Sequence, residues 1–102
     1  MSEISGKSLL KERIDVTEPP KYNVIFHDDD KTEADFVSQL LKLVFFYKEN
    51  EIEAKLEEIV REGKAIVGVF SREIAETKVE ICKNNAKKGG YGMFKVTYEP
   101  CN

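Results

Sequence analysis

Residues 63–79 read GKAIVGVFSREIAETKV, and this stretch decides the fold. Ala65 to Phe70 is a short apolar run with two Val, one Ile and one Phe, the composition of a pleated and largely buried strand. Ser71 ends it. A Ser directly before Arg72-Glu73-Ile74 is a good helix N-cap, because its hydroxyl accepts from an otherwise orphan backbone N–H and Glu73 falls in the positive first turn. Ala75, Val79, Cys82 and Ala86 recur at i, i+4, i+7 and i+11. That spacing predicts one buried helix face and leaves Glu73, Glu76, Lys78, Glu80 and Lys83 to solvent.

The flanking elements are read outward from this unit. Upstream, Tyr22 to His27 alternates, with Tyr22, Val24 and Phe26 on one side, and predicts a strand ended by Asp28-Asp29-Asp30. Thr32 with Asp35 three residues on resembles a capping box and predicts a helix to about Tyr47, its apolar stripe being Phe36, Val37, Leu40, Leu41, Val44 and Phe45. After a break at Lys48 to Asn50, Ile52, Leu56, Ile59 and Val60 predict a second helix that ends near Gly63. Downstream, Lys87-Lys88-Gly89-Gly90-Tyr91-Gly92 reads as a turn, and Phe94, Val96 and Tyr98 alternate on a last strand. The expected order is β-α-α-β-α-β, an α+β domain in which three helices cover one face of a three-stranded antiparallel sheet. Residues 1–18 are polar and charged and run into Pro19-Pro20, so they are expected to form a mobile tail ahead of a folded domain at 19–102.

Composition narrows the function. In 102 residues, 41% hydrophobic content with four Tyr and six Phe supplies one modest core. A net charge of −3, from 19 acidic against 16 basic residues, leaves no footprint for nucleic acid or anionic lipid. No apolar stretch approaches the ~20 residues of a membrane span, and Met1 to Leu10 lacks the apolar core of a secretory signal, so a cytoplasmic location is expected. Cys82 and Cys101 lack metal-type spacing and are read as reduced thiols.

Chemistry concentrates at Asp28-Asp29-Asp30. One reading is a solvated turn whose acids favour the following helix dipole. The other is a cation site: a peptide α-amino group, with a reference pKa of about 7.7–8.0, is largely protonated near neutrality and seeks carboxylate oxygens. His27 and Asp29 would offer two ligands to a metal, yet the chain has a single His and no EF-hand loop, so no metal is expected. No nucleophile–base–orienter set and no glycine-rich phosphate loop is readable, which predicts a non-catalytic protein without a cofactor.

Three motifs in order, PPKYNVIFHDDDKTEADFV, GKAIVGVFSREIAETKV and FKVTYEP, resemble the ClpS adaptor family over about Pro19 to Pro100. The resemblance implies a fold similar to the C-terminal domain of the ribosomal large-subunit stalk protein. It also implies a function: docking on the N-terminal domain of a Clp-type AAA+ unfoldase, ClpA or ClpC-like, and delivery of proteins with destabilising N-terminal residues. By the same resemblance Asp28 and Asp29 bind the ligand's α-amino group, Asp28 standing where the family has Asn. Ala34, Val37, Leu56, Ile59 and Phe94 form the side-chain pocket, with Ala34 in place of a bulky Met at its rim in some relatives. Val60 occupies the position of a family His that contacts the amine, and Glu73 and Lys78 match unfoldase-docking positions. The tail before the domain is implied in delivery, and the protein is expected to act as a monomer. The departures at Asp28 and Val60 keep open an alternative, a regulator of unfoldase substrate choice that binds no N-terminal residue. A metal-dependent enzyme built on His27 and the Asp run is the reading from a different class.

Overall fold

The computed structural model describes residues 19–101. Within them the chain runs β1 (Lys21–His27), α1 (Ala34–Leu43), α2 (Glu49–Glu62), β2 (Lys64–Ser71), α3 (Arg72–Gly89) and β3 (Lys95–Pro100). The expected α+β order is the order found; the expected 1–18 tail lies outside the described residues. The sheet is antiparallel throughout, in the order β2-β1-β3.

That order corrects the reading of Ala65 to Phe70. The run lies on an edge strand, and helices cover only one of its faces. Ala65 and Val67 are buried, while Ile66 and Val69 are 43% and 50% exposed. A continuous apolar run suggests burial on both faces, whereas a strand covered on one side buries alternate residues. The strand between two neighbours is β1, and Val24, Ile25 and Phe26 are all buried there. Val24 stands opposite Gly68 and Ile25 opposite Ile66, so Val67 is bulged out of the ladder. Its carbonyl accepts the Tyr47 hydroxyl at 2.8 Å. Beside this bulge a Cβ at Gly68 would lie 2.5 Å from the Phe70 ring, so a larger residue would displace that ring.

The hinge from β2 into α3 is as expected. Ser71 Oγ accepts from the Ile74 N–H at 3.4 Å, and Ala75, Val79, Cys82 and Ala86 are buried. Packed among apolar side chains, the Cys82 thiol is pushed up to about 12 by burial and stays protonated. The helix continues through Lys87 and Lys88, which favour its negative end, and stops at Gly90 with φ 85°. Those lysines therefore belong to the helix and not to the turn.

Three helix boundaries differ from the sequence reading. Glu33, not Thr32, is the N-cap residue of α1, and no side chain caps the helix there. At its other end α1 stops at Leu43, short of Tyr47, because Phe46 takes φ 61°. That left-handed conformation costs a non-glycine residue about 1–3 kcal/mol. It is held by Tyr47 N–H donating to Leu41 O at 3.0 Å and by Lys78 Nζ donating to Val44 O at 2.7 Å. The reversal also turns Phe45 inward, 5.5 Å edge-on to Phe26, which meets Phe94 on another side at 5.1 Å. α2 begins at Glu49, within the expected break, where the Glu51 carboxylate accepts from Lys48 N–H at 2.8 Å. Ile52 and Ile59 anchor α2, but Val60, placed on the same stripe by spacing, is 68% exposed.

Candidate functional site

The site forms where three chain ends are tied together. Asp28 N–H, just past β1, donates to Gly63 O at 2.9 Å, and Gly63 is the left-handed C-cap of α2 at φ 83°. This bond sets the acidic loop against the last turn of α2, and the same loop leads directly into α1.

Between them is a pocket of about 90 Å³, several times the roughly 10–15 Å³ that holds one water. Val37 of α1, Ile59 of α2 and Phe94 before β3 make its buried floor, with Leu56 half-buried beside them. Ala34 and Val60 lie at the exposed rim, and Asp28 and Asp29 close one edge. All eight ligand-site positions named from the sequence thus line one cavity. Phe94 is braced by Phe36, 5.9 Å away edge-on, and Phe36 stacks on Tyr91 at 4.5 Å.

Asp29 organises the acidic loop. Its Oδ1 accepts from the N–H groups of Lys31 and Thr32, each at 2.7 Å, and its Oδ2 accepts the Thr32 hydroxyl at 2.8 Å. Burial works against ionisation, but the Thr32 hydroxyl and the two backbone bonds outweigh it and hold the carboxyl below its ordinary value. Asp29 is therefore a fixed anion with one oxygen only singly engaged. Thr32, whose spacing to Asp35 resembles a capping box, also lines the pocket. The competing spacing, three residues after Asp29, is the one the chain uses.

His27 contributes to the rim, yet its ring lies across the sheet. Phe26 faces the helices, so alternation turns the next side chain to the opposite face, where His27 Nε2 is 2.8 Å from Thr97 Oγ1. Burial, then Lys95 and Lys64, lower its pKa. Held to Thr97, the ring lies on the face away from Val60, the position where the resemblance implies a histidine.

The docking pair is not a pair. Glu73 is exposed and lies outside the three ion pairs among the described residues. Lys78, expected in solvent, is half-buried: its ammonium donates to Val44 O and sits 5.2–5.4 Å from the ring centres of Phe45, Phe46 and Phe70. Five helical residues separate the two side chains, a turn of about 140° around α3, so they do not share a face. Among the described residues no helix is long and apolar enough to cross a membrane.

The molecule is a small α+β domain with an apolar pocket edged by two acidic side chains, of which Asp29 is anchored within its own loop. The sequence model of the family described as ATP-dependent Clp protease adaptor protein ClpS matches residues 17–96. A ClpS adapter protein of Nautilia profundicola is 36% identical over 93 residues, 91% of this chain and 96% of the relative. One from Vibrio atlanticus is 45% identical over 75 residues, 72% of this chain and 71% of the relative. Among solved structures, Agrobacterium tumefaciens ClpS2 bound to L-phenylalaninamide superposes with a TM-score of 0.77 at 34% identity, covering 82% of this chain and all of that one. The chain belongs to the ClpS family of Clp protease adaptors.

Proposed function

We propose that the chain is a non-catalytic adaptor that docks on the N-terminal domain of a Clp-type AAA+ unfoldase, ClpA or ClpC-like, and holds a substrate protein by its N-terminal residue. It acts as a cytoplasmic monomer through the domain at 19–102, with residues 1–18 assisting delivery. The observation that carries this reading is the convergence of four chain segments on one apolar pocket with carboxylates along a single edge. A terminal residue offers the complementary pair, an apolar side chain and an ammonium within a few ångströms of it. L-Phenylalaninamide, bound by the Agrobacterium relative, has the same two groups.

In this reading the first side chain enters between Val37, Leu56, Ile59 and Phe94. The ammonium rests on Asp28 and on the less engaged oxygen of Asp29. Val60 adds only apolar contact, where a hydrogen bond to a charged group would contribute about 1.5–3 kcal/mol. Delivery then follows from proximity, since tethering substrate beside the unfoldase raises its local concentration without chemistry in the adaptor.

One observation favours a second reading. Val60 offers no polar atom at the mouth and Asp29 is largely occupied by its own loop, as suits a regulator that docks without taking an N-terminus. A degradation assay separates the two. Added to a Clp unfoldase and peptidase, the adaptor should speed destruction of a reporter beginning with Leu and not of one beginning with Met. Equal effects on both reporters would favour the regulator.

A further inference from the structure

Val60 stands at the pocket rim with 68% of its surface exposed, and the apolar lining does not end there. Beyond the rim, on the outer surface of α2, Leu56, Glu57, Val60 and Arg61 line a shallow open hollow. Leu56 and Val60 line the pocket too, so pocket and hollow form one continuous apolar surface. The sequence explains the shape. Leu56 and Val60 are one helical turn apart, as are Glu57 and Arg61, and the hollow is the groove between these two ridges. Arg61 Nε lies 3.0 Å from Glu62 Oε2, which turns the guanidinium toward Glu62 and leaves the aliphatic stem of Arg61 beside the hollow.

What the pocket holds fixes the occupant of the hollow. The Cα of a terminal residue carries a side chain, an ammonium nitrogen and a carbonyl carbon. With the side chain on the floor of Val37, Ile59 and Phe94 and the nitrogen at the edge of Asp28 and Asp29, the carbonyl leaves over the rest of the rim, between Ala34 of α1 and Val60 of α2. The next Cα follows about 3.8 Å on, which places the second residue just outside the mouth. Toward α1 the rim is the Ala34 methyl; toward α2 it is the Leu56–Val60 ridge with the hollow behind it.

We infer that Leu56 and Val60, flanked by Glu57 and the Arg61 stem, form a subsite for the second residue of the substrate, and that this subsite takes an uncharged apolar side chain such as Leu, Ile or Phe. Glu57 and Arg61 carry opposite charges one turn apart, so the hollow has no net charge with which to select an acid or a base. The gain comes from covering Val60 and Leu56, and a polar side chain of similar size forgoes it. Val60 is then a specificity-determining residue: where the resemblance implies a histidine, the valine gives up a polar contact to the first residue and offers an apolar one to the second. The inference rests on the recognition part of the proposed function and adds the substrate class, chains whose first two residues are both apolar.

Fluorescence anisotropy tests it with free-amine peptides that begin with Leu and differ only at the second residue, which is Leu, Ala or Asn. Asn nearly matches Leu in size and carries no charge. The wild type should bind the Leu-Leu peptide about fivefold more tightly than the other two, as suits a side chain partly covered on a shallow surface. Val60→Thr keeps the shape of the side chain at an exposed position, and in it the preference for Leu over Asn should fall toward unity. The ratio is read rather than the affinity, because Val60 also borders the pocket. Equal affinities of the wild type for all three peptides, with acetylated forms still rejected, overturn the inference alone. A ratio unchanged in Val60→Thr overturns it as well, and its collapse in Ala34→Ser would set the second residue against α1. Failure of every peptide to bind, or equal binding of free and acetylated forms, overturns the inference together with the recognition reading.

Discussion

Asp28 donates its backbone N–H to the carbonyl of Gly63 at 2.9 Å, and that bond fixes one edge of the pocket by joining the end of β1 to the C-cap of α2. Gly63 holds this geometry at φ 83°, with nothing within 4 Å of where a Cβ would stand. Gly63→Ala therefore meets no clash and suffers only the left-handed penalty. It should destabilise the domain by about 1–2 kcal/mol in urea unfolding, and peptide affinity should fall with it.

Acid should weaken the domain in two windows. His27 has a folded pKa below its ordinary 6.5, so its contribution is fully present above 6.5 and is lost as pH falls from there through the lower folded value. Asp29 is also depressed, so its contribution is present above 3.8 and is lost as pH falls through its lower folded value. Melting temperatures from pH 8 to pH 3 should show both declines. His27→Gln should remove the first and Asp29→Asn the second; a decline that survives its own substitution assigns it to another group.

Asp29→Ala should also release Thr32 and the N–H groups of the loop, disordering the pocket edge as well as removing an anion. Its loss of peptide binding should exceed that of Asp28→Ala, whose side chain has no hydrogen bond among the described residues. Titration of one peptide against both variants settles the order.

Much of this site was legible in the sequence because its parts are local. The acid run ends a strand, Gly63 ends a helix, and Val37, Leu56, Ile59 and Phe94 sit at helical or strand spacings that turn them inward, while their grouping into one pocket was implied by the family resemblance. What was not legible depended on pairings across the fold. Spacing placed Val60 on the apolar stripe of α2, but the stripe is narrower than its repeat suggests. Lys78 looked like a solvent charge because the rings that receive it come from α1's exit and from β2. Ala65 to Phe70 looked largely buried because strand order, and with it edge status, is absent from a one-dimensional pattern.

Because Lys78 holds Val44 O, Glu73 is the residue at which docking is tested. Reversing Glu73 and Lys78 together would break the Val44 clamp, so a loss of binding in that double variant would carry two causes. Glu73→Lys alone is the clean test. As a rim charge it should slow association by roughly tenfold at low salt, with little change in dissociation, in a surface-binding experiment with the unfoldase N-terminal domain.

Val60→His should tighten peptide binding by roughly one to two decades, through a directional bond to the ammonium of about 1.5–3 kcal/mol. Ala34→Met acts on a different quantity. It narrows the rim without touching the ammonium and should steepen the ranking of Leu and Phe over Ile and Val as first residues.

The central claim is that the pocket recognises a free N-terminus. Fluorescence anisotropy with two peptides of one sequence, beginning with Leu and differing only in acetylation of the first nitrogen, tests it most directly. Saturable binding of the free form, with the acetylated form at least tenfold weaker, is the predicted result; equal affinities would contradict the account.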